Sequence, residues 1–328
     1  MNLTKFNQLN RCEHFSCPDR SVSYLYILLY VCSAAVVLLT VCGNLLVIIS
    51  VIHFKQLHTP TNMLVLSLAV SDFFAGIFVM PPMLIWTIES CWIFGTVFCT
   101  IYWFIGGIFT ISIYTIALIA VDRYLALSNP FLYMNVVSVK MTCVVMFFDW
   151  CVVVGYTIAV LYFNGNFTSS VMCPGECFIF LNEVWTIIDF VYSFIFPCFV
   201  IIILYTLVFV IAKKHATAIR ELNNHTRPKA YKITSHSMKS ERKAAKVLGI
   251  LVSVFLLCLL PYFIYSFLDS IIELQTKAFQ NVSILFCLNS AINPVIYALF
   301  YPWFRKCIKI IVTLQVFHID SALINVLS

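Results

Sequence analysis

Long apolar stretches alternate with short polar segments along most of this chain. Seven of these stretches have about 20 residues or more, enough for a helix to cross a hydrocarbon layer about 30 Å thick. The pattern therefore predicts an all-α membrane protein folded as a seven-transmembrane helix bundle. The predicted spans, numbered one to seven, cover 23–52, 62–88, 97–127, 141–162, 184–212, 244–270 and 279–301.

The two ends of the chain differ from the spans. Residues 1–20 are polar and lack the apolar core of a signal peptide, so span one is expected to direct membrane insertion. Residues 303–311 mix apolar and basic side chains, as a helix lying in the membrane interface does. The predicted organisation is an extracellular segment 1–22, a bundle 23–302, and a short amphipathic helix with a cytoplasmic tail, 303–328.

Composition and charge indicate that the protein lies in a membrane and which of its ends faces outward. Hydrophobic residues make up 62% of the chain and charged residues 10%, against about 25% charged in a soluble domain. With the N-terminus outside, all of the 20 Lys and Arg residues except Lys5, Arg11, Arg20 and Lys277 fall on the cytoplasmic side. We therefore expect a multi-pass plasma-membrane protein with an extracellular N-terminus, a basic face toward anionic lipid, and no nucleic-acid partner.

The predicted outer segments carry candidate modification sites. Asn2 and Asn166 begin glycosylation sequons. Six of the 14 cysteines also lie outside, where disulfides form, and six cysteines allow fifteen pairings. A bridge from Cys17 or Cys12 to Cys173 is expected, with Cys91 free.

Catalytic motifs are missing from the sequence. It contains no zinc-protease run, no phosphate-binding glycine loop and no nucleophile elbow, so an enzyme is not expected. A transporter or channel is the least favoured alternative, because transporters built from repeats have broken helices at matching positions of two halves.

Four acids lie inside the spans: Asp72, Asp122, Asp149 and Asp189. A charge in hydrocarbon costs about 2.5 kcal/mol or more, so each acid is a candidate functional residue. Asp72 has polar candidates on other spans, which predicts a cluster of oxygen atoms and waters. The predicted members of this cluster are Asn44, Asp72, Ser112, Asn289, Ser290 and Asn293.

A set of landmarks, about one in each span, resembles the rhodopsin-like G-protein-coupled receptors. The set consists of Asn44, Asp72, Asp122-Arg123-Tyr124, Trp150, Pro197, Pro261 and Asn293-Pro294-Val295-Ile296-Tyr297. Three further segments look like the trace amine-associated receptors: 89–95, 173–177 and, most specifically, 289–306. The resemblance covers nearly the whole chain.

The resemblance implies an olfactory receptor that senses amines and raises cyclic AMP through a stimulatory G protein. It also implies a disulfide between Cys99 and Cys177, and a sodium ion at Asp72. The residues implied in signalling are Asp122, Arg123, Tyr124, Phe255, Pro261, Asn293, Pro294 and Tyr297. One departure concerns span six, where Leu259 stands in place of the family's tryptophan.

The amine-binding acid of aminergic relatives is missing. In those relatives it precedes the arginine of the Asp-Arg-Tyr triplet by eighteen positions, which gives Ile105 here, or Gly106 after a shift of one. No acid occurs between Cys99 and Asp122. Asp189, eight residues and therefore about 12 Å outward from Pro197, is predicted to replace it, as in some fish members of the family.

The predicted ligand site surrounds Asp189. Trp185 and Ser193, four residues to either side, share its helix face. The other predicted wall residues are Trp103, Phe109, Tyr262, Phe263 and Ser266, although an aromatic stripe also serves packing alone. If Asp189 is a structural acid, the alternative is a receptor for a non-amine ligand. Glu183 is either a second acid for a diamine or a solvated residue.

Overall fold

The computed structural model describes residues 17, 23–171, 175–179, 181–225, 249–250, 252–268, 276–318 and 321–327. Side chains are described for all of these except 166–171, 215–216, 218–225 and 276–280. Within these residues the regular structure is entirely helical.

The seven predicted spans are helices, which confirms the seven-helix bundle. Six helices are long and apolar enough to cross a membrane, and a shorter apolar helix, Val252–Leu268, corresponds to span six. Spans one to four are Tyr24–His53, Pro60–Glu89, Gly95–Ser128 and Val139–Val171. Span five runs from Glu183–Phe190 through Val191–Ile195 into Phe196–His225, and span seven is Thr276–Phe300.

Two spans contain a wider helical turn that the sequence pattern does not predict. Span two has one π-helical turn at Ala75–Val79, which begins three residues after Asp72, and span five has another at Val191–Ile195, which begins two residues after Asp189. A π turn inserts one residue into the helix and rotates the later part of the helix about its axis. Each of these two intramembrane acids therefore lies just before a change in its helix's register.

Polar caps fix where several helices begin. The side chain of Asn182 accepts a hydrogen bond of 2.9 Å from the backbone N–H of Trp185, so span five begins at Glu183. Asn129 caps a short cytoplasmic helix, Pro130–Val136, in the same way. These caps satisfy N–H groups that the first turn leaves free.

The core lies where spans two, three, five, six and seven meet. Its fully enclosed members include Leu68, Ile113, Ile116, Ile201 and Phe255. A second apolar cluster lies at the outer end and contains Trp86, Trp92 and Tyr102. Beyond span seven, the predicted amphipathic helix is Pro302–Val312, which buries Phe304, Cys307 and Ile310.

Close packing of spans one and seven supports a stability prediction. A Cβ added to Gly43 would lie 2.7 Å from Cβ of Pro294, whereas one added to Gly155 on span four would meet nothing within 4 Å. We expect Gly43→Ala to lower the free energy of unfolding by about 1–3 kcal/mol through overpacking, measured as a lower melting temperature of the detergent-solubilised protein. Gly155→Ala is the matched control, and equal melting temperatures for the two variants would contradict the packing.

Candidate functional site

Asp189 lies half-buried on span five with two hydroxyl groups against one oxygen. Tyr156 on span four donates to its Oδ1 over 2.8 Å, and Ser193 donates to the same atom over 3.0 Å. Among the described residues, nothing hydrogen-bonds to Oδ2 and no Lys or Arg pairs with the carboxylate. Both donors are neutral, so the negative charge is hydrogen-bonded without being compensated.

Aromatic rings of spans four and five lie on one side of this carboxylate. The ring of Tyr156 lies 4.1 Å from that of Tyr192 and 6.4 Å from that of Trp185. Trp185 also stacks on Phe163 at 5.5 Å. Ring faces beside a carboxylate form a suitable surface for an organic cation, because the faces carry partial negative charge.

A second row of rings connects spans three, six and seven. Phe286 on span seven lies 4.5 Å from Phe109 and 4.6 Å from Tyr262, measured between ring centroids. Phe263 stacks on Phe194 of span five at 4.7 Å. The hydroxyl of Ser266 hydrogen-bonds to Tyr262. The predicted residues Phe109, Tyr262, Phe263 and Ser266 therefore belong to one cluster, which Phe194 joins to the helix of Asp189.

Trp103 lies apart from this row, in the outer apolar cluster. Its ring is 5.7 Å from that of Tyr102. Its indole N–H is buried and has no hydrogen-bond partner among the described residues. A buried donor without a partner is unusual and leaves a hydrogen bond available in the upper part of the bundle.

Span three leaves space at the position where the family's acid is absent. A Cβ built on Gly106 would meet no atom within 4 Å, whereas one on neighbouring Gly107 would lie 2.6 Å from the side chain of Thr157. Gly107 therefore packs against span four, and Gly106 faces open space. Glu183, the other candidate acid, is exposed in the first turn of span five.

Two disulfides hold the outer loops. Cys99 is bonded to Cys177 with a Cα–Cα separation of 5.6 Å, as the family resemblance implies, and this bond fixes the loop before span five to the top of span three. Cys17 is bonded to Cys91 with a Cα–Cα separation of 5.4 Å.

Two parts of the second disulfide prediction are wrong: Cys17 does not pair with Cys173, and Cys91 is not free; the alternative bridge from Cys12 to Cys173 stays a prediction. The backbone N–H of Trp92 donates to the carbonyl of Gly175 over 2.7 Å, which holds the segment around Cys91 at the bundle mouth, where Cys17 reaches it. Cys12, Cys173 and Asn2 lie outside the described residues. Asn166 lies in the last turns of the span four helix, in the part whose side chains are not described.

Asp72 is fully buried and accepts three hydrogen bonds from other spans. The donors are Ser112 at 3.3 Å, Ser290 at 2.8 Å and Asn293 at 2.7 Å. Asn44 bonds instead to the carbonyls of Thr40 and Ser290, and the amide nitrogen of Asn289 has no partner among the described residues. Three of the predicted members therefore contact Asp72, and two lie beside them.

The Asp-Arg-Tyr triplet forms a second polar cluster, at the cytoplasmic end of span three. Nε of Arg123 donates to Asp122 over 3.0 Å, and the hydroxyls of Thr61 and Tyr133 each donate to the same carboxylate over 2.7 Å. Arg123 also contacts the hydroxyl of Thr61. Burial and the bond to Asp122 raise the pKa of Tyr133 to about 12, so it remains a donor at physiological pH.

The remaining signalling candidates lie mainly on spans six and seven. Phe255 and Leu259 are fully buried one turn apart, and Pro261 follows them. Pro294 lies inside the span seven helix. The hydroxyl of Tyr297 is buried without a partner among the described residues, as is that of Tyr205 on span five. Tyr124 is partly buried on span three.

Sequence reasoning missed three contributors to the site. Tyr156 and Phe286 were not predicted, although both bring together predicted residues, and neither belongs to a motif. Tyr133 holds Asp122 from the short helix after span three. The one signal in the sequence is Pro130, which lies between Asp122 and Tyr133 and could have suggested that the chain turns back toward the end of span three there.

These features define a seven-helix membrane protein with polar clusters inside its bundle. Residues 43–297 match the family described as 7 transmembrane receptor (rhodopsin family), and the chain belongs to that family. This is a family of receptors and not of enzymes. Asp72, Asp122 and Arg123 all lie within the matched residues.

Close relatives narrow the membership to the trace amine-associated receptors. The chain is 40% identical over 305 residues to trace amine-associated receptor 13c of Danio rerio, covering 90% of this chain and 89% of that protein. It is 40% identical over 311 residues to receptor 6 of Rattus norvegicus and 39% identical to receptor 6 of Homo sapiens, each over 92% of this chain and 90% of the relative.

The disulfide pairing predicts a specific peptide map. Digestion of the non-reduced receptor should release one pair of peptides joined through Cys99 and Cys177 and another joined through Cys17 and Cys91, identified by mass spectrometry before and after reduction. A peptide that joins Cys17 to Cys173 would contradict the pairing.

Proposed function

We propose that the protein is a plasma-membrane receptor for small amines, in which Asp189 binds the ligand's ammonium group from the extracellular side. The observation that carries this proposal is the carboxylate of Asp189, which has two neutral donors on one oxygen and no cationic partner in the described part of the chain. The names of the relatives, which are trace amine-associated receptors, agree with it.

The chemistry of the site favours an ammonium over a neutral ligand. A carboxylate in a low-dielectric bundle gains a charge-assisted hydrogen bond from an ammonium, which is about twice as strong as a neutral one. Neighbouring rings such as Tyr156, Tyr192 and Trp185 add about 0.5–2 kcal/mol through cation–π contact. Tyr156 and Ser193 hold Oδ1, which leaves Oδ2 available to the incoming cation.

The open space at Gly106 and the indole N–H of Trp103, which has no partner among the described residues, indicate which ligands the site favours. A ligand that extends from Asp189 toward span three meets no acid there, so the proposed ligand carries a single ammonium. The indole N–H of Trp103 would donate a hydrogen bond to an acceptor at the far end of the ligand and so favour ligands that carry one. A receptor for a non-amine ligand is the second candidate, favoured if the two hydroxyls alone stabilise Asp189.

Signalling is proposed to follow a population shift. A ligand that binds the active bundle more tightly favours it over the resting form. Release of Arg123 from Asp122 would expose it to a stimulatory G protein, which raises cyclic AMP. The buried hydroxyls of Tyr205 and Tyr297, without partners among the described residues, would gain hydrogen bonds in the rearranged bundle, which supports a second stable arrangement of these spans.

The cluster at Asp72 is proposed to hold a sodium ion in the resting form. Its carboxylate and the hydroxyls of Ser112 and Ser290 are oxygen ligands of the kind that hard cations prefer. The side-chain oxygen Oδ1 of Asn44 is buried nearby without a hydrogen-bond partner among the described residues, and it is a further candidate ligand of the sodium ion.

The amine site predicts a large effect of one substitution. Asp189→Asn should raise the amine concentration for half-maximal cyclic AMP by about two orders of magnitude or more. The substitution leaves the buried ammonium of the ligand without a counter-ion, which costs about 3–5 kcal/mol. Asp189→Glu should cause a smaller loss. The measurement is a cyclic-AMP assay over a panel of amines at equal surface expression.

Glu183→Gln is the matched control, because this acid is on the same helix but exposed. It should leave the half-maximal concentration within about threefold, as expected for a solvated charge. An unchanged amine response in Asp189→Asn would reject the assignment and favour a non-amine ligand.

The sodium site predicts a salt-dependent response. Replacing external sodium by the bulky cation N-methylglucamine at constant ionic strength should raise basal cyclic AMP of the wild type, and Asp72→Asn should abolish that dependence. Asp149→Asn is the control, because Oδ2 of that intramembrane acid has no hydrogen-bond partner among the described residues. Retained sodium dependence in Asp72→Asn would contradict the proposal.

A further inference from the structure

Both hydrogen bonds that Asp189 accepts end on the same oxygen. The hydroxyl of Tyr156 donates to Oδ1 over 2.8 Å, and that of Ser193 donates to it over 3.0 Å. A carboxylate offers about four lone-pair sites, two on each oxygen. Two donors therefore fill Oδ1, whereas Oδ2 accepts no hydrogen bond from the described residues.

The two donors come from different helices, and packing holds each of them in place. The ring of Tyr156, on span four, lies 4.1 Å from the ring of Tyr192 on span five. Ser193 is buried in the π-helical turn Val191–Ile195, four residues after Asp189. Each hydroxyl has a single proton, and both protons go to Oδ1. The packing of spans four and five therefore decides which oxygen is occupied before a ligand arrives.

One free oxygen is sufficient for an ammonium but not for a planar cation. A guanidinium or an amidinium pairs with a carboxylate through two parallel N–H bonds, one to each oxygen. An ammonium is a compact point charge, and a bond to one oxygen satisfies its pairing. At Asp189 a planar cation would lose one of its two bonds, because Tyr156 and Ser193 already fill the second oxygen.

The aromatic rings near the carboxylate do not make this distinction. Ring faces attract an ammonium, and a guanidinium also stacks on them. The rings of Tyr192 and Trp185, which lie beside that of Tyr156, would therefore stabilise either class of cation. Discrimination between the two classes depends on the hydroxyls at Oδ1.

We propose that Tyr156 is a specificity-determining residue. Together with Ser193 it leaves Asp189 one accepting oxygen for the ligand, so the site selects alkylammonium ligands over guanidinium and amidinium ligands. This inference rests on the proposed function, because it takes Asp189 as the counter-ion of the ligand. Tyr156 acts on the ligand through Asp189 and is therefore a positioning residue.

The experiment compares an alkylamine with the alkylguanidine that carries the same alkyl group, in a cyclic-AMP assay at equal surface expression. The measured quantity is the selectivity ratio, which is the half-maximal concentration of the guanidine divided by that of the amine. A guanidine that does not activate the receptor is scored by the concentration that halves the amine response. The wild type should favour the amine by about tenfold or more, because the guanidinium leaves one N–H group without its acceptor.

Tyr156→Phe keeps the ring and removes the hydroxyl, which frees one lone pair of Oδ1. The selectivity ratio should fall by about tenfold, because the planar cation regains its second bond. Ser193→Ala should lower the ratio in the same direction, and it tests the same oxygen if Tyr156→Phe does not reach the cell surface. Tyr162→Phe is the matched control, since Tyr162 is on the same span but 76% exposed, and it should keep the wild-type ratio.

The ratio separates this role from a structural one, because a loosened site would weaken both ligands together. Equal ratios in the wild type, Tyr156→Phe and Ser193→Ala would overturn the proposed selectivity, as would a wild type that responds equally to both ligands. Asp189→Asn tests the proposed function separately. A retained amine response in Asp189→Asn would reject the counter-ion itself, whereas a lost amine response there with an unchanged ratio in Tyr156→Phe would reject only the role of Tyr156.

Discussion

Three of the four acids inside the spans accept hydrogen bonds from other helices, and these bonds organise the bundle, whereas Oδ2 of the fourth, Asp149, is buried without a partner among the described residues. Asp72 is satisfied by three donors from spans three and seven, and so joins those spans to span two. Asp122 is satisfied by Arg123 and by hydroxyls from span two and the short cytoplasmic helix. Asp189 has donors on one oxygen only, within the described part of the chain. Protein donors therefore reach both oxygens of Asp72 and of Asp122 but, among the described residues, only one oxygen of Asp189, which is the acid proposed to bind the ligand.

Hydropathy was sufficient to predict the seven spans and the amphipathic helix, because the bilayer fixes the length and polarity of a spanning helix. It could not predict the π turns after Asp72 and Asp189, because no residue type marks a π turn in the sequence. The pairing of Cys17 was mispredicted because fifteen connectivities are open to six cysteines. Only the folded loops, held by the bond from Trp92 to Gly175, bring Cys91 within reach.

The partner of Asp189 was missed for a different reason. In a membrane, residues facing lipid and residues facing the core are both apolar, so the sequence of span four does not show which side of the helix meets span five. Tyr156 lies among apolar neighbours and belongs to no motif. Trp185 and Ser193 could be predicted because they are on the same helix as Asp189, where spacing alone decides the face. The neighbours of Asp189 on its own helix were therefore predictable from spacing, and its contact with span four was not.

Leu259 changes how a signal can pass from the ligand site to span six. A tryptophan carries an N–H and a ring face, which offer directional contacts, whereas leucine offers only shape. Leu259 and Phe255 are fully enclosed, and they pack in the same core as Phe109, Phe194 and Phe263. A close-packed interior has few voids and does not deform continuously. Tyr262 and Phe286 pack against the cluster that contains Leu259, so steric contact gives the proposed signal a route to span six without the tryptophan.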